Sequence, residues 1–492
     1  MKLSRIIVFA LGLALLGGRS LADDASVATE ADASDADGQA SLLEESADTL
    51  AAIDAYWEQY QGSVAPEAAD ARVLTLAECV DTALAQNPQA LVASDEVDEA
   101  TAQIGQARSV RRPQVKAKST LVHADPMMGD LVSGTAIASI LDLDGLMPQE
   151  DIRTDRLTAS QVLYAGGQIA AATRASQHLA ESQEWRREAA LSDIEYQVRQ
   201  AYHNCLLAKS VIRVADESVE TFARHLKDAQ QMFDVELISK FEVLRAETEL
   251  SARQESAVAA RNAERLAVAN LLRLVALPQD TPVRLTPEPV PTLDTARLDT
   301  LIAQALENRP EVRALREAVA AAAQDVRRVQ GQYRPKVAAS ADWTNADGGG
   351  AFIPDGWSFS VGAEWELYGG GGRKHERLGA KARLAKLEHQ FEDIRQLVEL
   401  DVTHAQIQIQ DAIAQVRTAR DTVALANEGL RLAELRFRGG LATTSETLDA
   451  ELARRKAQTD LVQALHALAL GQAALDHAVG KRAAQEPVAA PE

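Results

Sequence analysis

The chain has 492 residues, a formal net charge of −21 and 4% aromatic residues. A charge of that sign and size repels phosphate backbones, which argues against a nucleic-acid binder. Scarce aromatics with abundant Ala, Leu, Gln, Glu and Arg favour long helices. Lys2 and Arg5 precede an apolar run at residues 6–16 and then Ser20-Leu21-Ala22. This is the pattern of a secretory signal peptide, residues 1–22, cleaved after Ala22. Asp23 follows rather than Cys, so no lipid anchor is expected there. Elsewhere no stretch is long and apolar enough for a transmembrane helix. Residues 23–72 are acidic, with Arg72 the only base. They are expected to be largely disordered, with a short docked helix at residues 51–60.

From Leu74 the chain reads as one plan written twice, at residues 74–277 and 297–480. A helix at residues 76–85 stops at Asn87-Pro88. Pro88 suits the first position of the next helix, with Asn87 as its cap. That helix is expected to run to Arg111-Arg112, where Pro113 ends it. The second half repeats this with a helix from Leu298, then Pro310, then a helix to Tyr333-Arg334 and Pro335. Pro310 and Pro335 lie 222 positions after Pro88 and Pro113.

After each second proline the hydrophobic period falls to two. Val337, Ala339, Ala341 and Trp343 alternate with Lys336, Ala338, Ser340 and Asp342. Trp357, Phe359, Val361, Ala363, Trp365 and Leu367 alternate with small and acidic residues. These are two strands joined by a Gly-rich loop at residues 345–355. Each is the length a tilted strand needs to cross a bilayer, with one apolar face and one polar face. Trp343, Trp357, Phe359, Val361 and Trp365 form the expected lipid-facing side. The first-half strands, at residues 114–123 and 153–163, are weaker, and Gln161 falls where the second half has Trp365. Four such strands cannot stay open in lipid, so chains must associate. Two chains give eight strands and three give twelve; the pattern alone does not choose.

Each strand pair ends in a glycine turn, at Gly166-Gly167 and at Gly369-Gly370-Gly371. A strand, a glycine turn and a helix suggest a phosphate loop, but no Gly-Lys-Ser/Thr follows. A sharp bend from strand to helix is the better reading. The helix that follows carries a heptad seam: Leu384, Leu387, Phe391, Ile394, Val398, Val402, Ala405, Ile409, Ala412, Val416, Ala419, Val423, Ala426, Leu430, Ala433 and Phe437. One extra four-residue step after Val398 marks a stutter. The same seam runs 204 positions earlier, from Ala190 through Ile194, Val198 and Cys205 to Phe233. Return helices are expected at residues 240–276 and 445–479. Residues 278–296 form a Pro-rich linker, expected to be stiff and extended, and 481–492 a loose tail. Cys79 and Cys205 lie on apolar faces and read as small buried hydrophobes.

No catalytic or metal-binding motif is present in the sequence, so neither an enzyme nor a cofactor is expected. His375, His389 and His404 read as solvated helix residues. Thr443-x-x-Glu446 and Ser239-x-x-Glu242 have the form of capping boxes. Arg438, Gly439, Gly440 and Leu441 end one rod in a turn.

The duplicated plan, LTLAECVDTALAQNP, ASQVLYAGG and WELYGGGG before the long helices, and RFRGGLATTSETLDAE at the tip resemble the TolC family of outer membrane efflux proteins. The resemblance spans about residues 74–480. It implies a mixed α and β membrane protein. Three chains would form a twelve-stranded barrel in the outer membrane of a Gram-negative bacterium, continued by a helical tunnel through the periplasm. It implies a channel that passes drugs, other toxic small molecules or secreted proteins outward. Its partners would be a periplasmic adaptor (membrane fusion) protein and an inner-membrane RND or ABC transporter. It also implies that Glu446 and Asp449 line the narrow periplasmic entrance, with Glu242 and Arg245 as their repeat mates, and that residues 438–441 dock the adaptor. Two features depart from the family: the first-half tip lacks glycine, and the acidic extension lies outside the family core. The competing reading is a periplasmic coiled-coil scaffold without a channel, against which the tryptophan-bearing strand face counts.

Overall fold

Two hydrophobic periods sort the chain into two kinds of element. The computed structural model describes residues 72–123, 151–287, 297–347, 355–439 and 441–481. The signal segment, the extension before Arg72 with the helix expected at residues 51–60, and the tail from residue 482 lie outside the described residues. In order the elements are β1 (Arg72–Leu74), α1 (Leu76–Gln86), α2 (Pro88–Ser109), β2 (Gln114–His123), β3 (Asp151–Ala165), α3 (Gln168–Asp234) and α4 (Lys240–Leu274). The second half holds β4 (Val283–Leu285), α5 (Leu298–Asn308), α6 (Pro310–Gly331), β5 (Lys336–Asp347), β6 (Gly356–Glu364), α7 (Gly372–Arg438) and α8 (Thr444–Val479).

The long helices α3 and α7 have 67 residues each, about 100 Å at 1.5 Å per residue. On α7 every seam position from Val398 to Val423 is buried. From Leu384 to Ile394 the seam is only half-buried. The reason is the partner: the end of α8 (Leu475, Ala478, Val479) packs beside Val398 and Val402. Beyond it the shorter α6 takes over, with Val326 and Val329 against Ala380. On α3, Val214, Ser218 and Thr221 are buried off the seam as well, because α3 packs against α8 in addition to α4 and α6.

The duplication is visible as two matching cores. Leu76, Cys79, Val80 and Ala83 of α1 meet Ile194, Val198, Ala201 and Cys205 of α3 and Leu271 and Leu274 of α4. Leu301 and Ala305 of α5 meet Val398, Val402, Ala405 and Ile409 of α7 and Leu475 of α8. Cys79 stands where the repeat has Leu301, and Cys205 where it has Ile409. Both thiols are free and buried; burial pushes Cys79 up to about 11 and Cys205 up to about 12. They act as small hydrophobes.

Several boundaries differ from expectation. α2 ends at Ser109, before Arg111-Arg112, because Pro113 keeps its neighbour out of the helical region. β3 and β5 are longer than expected and β6 stops at Glu364. The linker is not simply extended: β4 within it pairs in parallel with β1, Arg72↔Val283 to Leu74↔Leu285. Arg72 therefore belongs to a strand rather than to the extension. Buried Tyr202 closes this clasp, its hydroxyl bonding the carbonyls of Leu74 (3.2 Å) and Thr286.

Candidate functional site

The larger sheet runs β2-β3-β5-β6, antiparallel throughout, with β2 and β6 as its edges. Register fixes which residues share a face. Trp343 stands opposite Trp357 and Leu157, and Leu157 opposite Ala117. The next row is Val115, Ala159, Ala341 and Phe359, and Val361 faces Ala339. The other face carries Gln114, Ser160, Ser340 and Ser360 in one row, and Lys116, Thr158, Asp342 and Ser358 in the next. Trp357, Phe359 and Val361 are exposed in the single chain. The sheet thus has a polar side and an apolar side, on which Phe359 stacks with Trp357 yet remains 79% exposed.

Trp365 is a correction. It lies past the end of β6, and its ring N–H donates to the carbonyl of Tyr333 at 3.1 Å. Gln161 donates to the carbonyl of Arg111 at 3.4 Å, and Arg111 is the repeat mate of Tyr333. Trp and Gln thus do one job in the two halves, satisfying a carbonyl beyond the helix end. The strand-to-helix turns match as well. Gly166 and Gly167 have φ of 62° and 88°, Gly370 and Gly371 of 60° and 85°. This left-handed pair is what demands glycine. Gly369 lacks positive φ, and its repeat mate is Ala165, so it is not part of the required turn.

At the far end of the rods the expected capping boxes are not formed in full. Thr443 accepts from the Glu446 N–H at 3.3 Å, but the Glu446 carboxylate turns to Arg436 (3.4 Å). Ser239 makes no side-chain cap. The complete box is at Thr75 and Glu78 instead, where it holds Glu78 below the usual carboxylate range through the Thr75 bonds. Asp449 is exposed and makes no ion pair among the described residues. Arg245 donates to Ser445 at 3.2 Å, tying the two hairpins together across 200 positions. Glu242 is half-buried. Gly439 has φ −82°, so this turn does not need glycine there; Gly440 lies outside the described residues. Arg438 pairs with Glu434 (3.4 Å), and Leu441 is exposed.

Sequence reasoning passed over Glu451. It is fully buried on α8 and accepts from Arg454 Nη2 at 2.7 Å and Nε at 3.0 Å. The i, i+3 spacing was the available signal. Nearby, Arg253 lies over the Phe222 ring at 5.3 Å, and burial lowers the pKa of His225. His375, His389 and His404 are exposed, as expected of solvated residues.

A sheet apolar on one side, joined to rods of this length, defines an outer membrane channel with a helical extension. The family model described as "Outer membrane efflux protein" matches residues 79–277 and 301–481, and the chain belongs to that family. It is 27% identical over 365 residues to the outer membrane efflux protein BepC of Brucella suis, covering 70% of this chain and 76% of BepC. Protein CyaE of Bordetella pertussis is 23% identical over 387 residues, 77% of this chain and 78% of CyaE. Among solved structures, the outer membrane protein VceC of Vibrio cholerae matches with a TM-score of 0.69 at 20% identity, covering 87% of this chain and 98% of VceC. The protein is therefore an outer membrane efflux channel of a Gram-negative bacterium, a transport protein rather than a scaffold. The family works with adaptors and inner-membrane transporters.

Proposed function

We propose that three chains close the β2-β3-β5-β6 sheets into a twelve-stranded barrel, β6 of each copy beside β2 of the next. The carrying observation is a sheet with one apolar face and two unpaired edges, which lipid does not tolerate open. Twelve strands rather than eight follows the family resemblance. A second stripe supports side-by-side assembly of the rods. Leu397, Leu400, Ile407, Leu425, Leu432 and Leu435 of α7 are exposed in the single chain. Their spacings of three, seven and eighteen residues keep them on one side of the helix. A neighbouring copy covers them.

In this assembly Trp343, Trp357, Phe359 and Val361 face lipid, and Trp365 sits at the periplasmic boundary of the barrel, where interfacial aromatics collect. The polar face lines the pore. Asp449 and Glu446, repeated three times about the axis, form an acidic constriction that attracts cations. Asp449, which has no counter-charge here, contributes most. The Arg245–Ser445 bond holds the hairpins in the closed arrangement. Residues 438–441 dock the periplasmic adaptor: a glycine at 439 that the turn itself does not need leaves room for a partner helix. Cargo enters from an inner-membrane RND or ABC transporter.

Single-channel currents of the wild type and of Glu446→Ala/Asp449→Ala in planar bilayers test this reading. Cation preference and block by multivalent cations should both weaken in the double variant. Unchanged selectivity and block with lower thermal stability would assign the two residues to the fold alone.

A further inference from the structure

His178 and Glu181 lie one turn apart on α3, and Glu317 reaches them from α6. His178 Nδ1 is 2.8 Å from a Glu317 oxygen and 3.5 Å from a Glu181 oxygen. The three ligand atoms all lie within 4.8 Å of one another. His178 and Glu317 are half-buried and Glu181 is open to solvent. No Lys or Arg pairs with either carboxylate among the described residues. Asp325, farther along α6, by contrast has Arg328 and Arg383.

We propose that His178, Glu181 and Glu317 bind one divalent first-row transition cation of the Zn²⁺ class, pinning α3 to α6 just below the barrel. One imidazole with two carboxylates is a donor set that suits zinc, cobalt and nickel, whereas magnesium and calcium favour oxygen alone. Bonds of about 2.0–2.2 Å at tetrahedral angles put neighbouring donors about 3.4 Å apart. The His178–Glu181 distance already fits. The His178–Glu317 pair opens by about 0.6 Å as Nδ1 gives up its proton to bind. Solvent at Glu181 supplies water for the fourth position. The site was hidden from sequence reading because Glu317 is 139 positions from His178.

Tag-free, detergent-solubilised full-length protein, stripped of metal, is titrated with Zn²⁺ by calorimetry, and separately with Co²⁺ while its visible spectrum is recorded. One saturable Zn²⁺ site per chain is expected, with proton release that varies with buffer, a rise in Tm and a tetrahedral Co²⁺ band. Mg²⁺ should give none of these. His178→Ala and Glu317→Gln should each weaken Zn²⁺ binding at least tenfold and remove the Co²⁺ band, while His389→Ala leaves both unchanged. Glu317→Gln keeps the side chain's shape, so it reads the site even if His178→Ala destabilises the fold. Equal Zn²⁺ affinity in wild type and Glu317→Gln, or no saturable binding, overturns the proposal and leaves an ion pair.

Discussion

Glu236 and Ala276 hold left-handed backbone, φ 60° and 57°, in the first half of the chain, where the second half has Gly440 and Gly480. Gly480 has φ 75° and closes α8. Ala276 and Gly480 thus close their helices in the same left-handed conformation, the first half with a side chain that disfavours it. What the first half has in exchange is packing. Its α3 contacts α1, α2, α4, α6 and α8, and Tyr202 fastens the β1–β4 clasp over it. In the second half Gln406 stands at the Tyr202 position, and α7 leaves a whole apolar stripe bare. The two long helices thus differ in what covers them within one chain. Duplication preserved the frame, and the two copies diverged where their neighbours differ.

The sheets offer the largest test of this comparison. The apolar row is aromatic in the second half (Phe359) and small in the first (Ala159), yet register puts both on one face. Phe359→Arg and Ala159→Arg should each cost about 2–4 kcal/mol near the bilayer midplane. Ser360→Arg, on the opposite face, should assemble normally. Yields of heat-resistant oligomer decide it, and normal assembly of Ala159→Arg would separate the halves in function.

The turns give the next largest difference. A Cβ on Gly166 would lie 2.3 Å from the Gly331 carbonyl oxygen, whereas one on Gly370 meets nothing. Gly166→Ala should therefore cost about 3 kcal/mol, from strain and overpacking together, and Gly370→Ala about 1 kcal/mol, from strain alone. Equal shifts in denaturant midpoint would show that the first-half turn relaxes freely.

Acid should loosen the packing of α3 against α8, one from each half. Burial, with His466 and Arg199 nearby, lowers His203 from 6.5 to about 4; burial lowers His466 also. A histidine lowered on folding binds fewer protons in the native state, so its stability contribution is full above about pH 6.5 and falls as pH drops toward 4. The loss is about 3 kcal/mol for His203. His203→Gln should flatten the pH dependence of the Tm in that window, while Ile407→Gln, the repeat mate, should not change its slope.

Glycine replacements sharpen the comparison at its smallest scale. Glu236→Gly and Ala276→Gly should each raise stability by about 0.5–1 kcal/mol, less the entropy glycine adds to the unfolded chain. A lower Tm in either would show that the first-half side chain makes a contact worth more than its strain.

The duplication, both rods with their seams, the strand-to-helix glycines and β2 were legible in the sequence, because each rests on local periodicity or on backbone conformations that only a few residues adopt. The seam from Val398 to Val423 is buried as its spacing required. The β1–β4 clasp, the Tyr202 bonds, the Arg245–Ser445 link and the His178 cluster were not legible. Each joins residues between 84 and 211 positions apart, and no local pattern encodes which distant partner a side chain meets. The failed capping boxes show the same limit in miniature. Spacing alone put Glu446 on Thr443 and Glu242 on Ser239, but Arg436, brought close only by the folded tip, competes for Glu446. Local geometry chose the elements; packing chose which of their polar groups found each other.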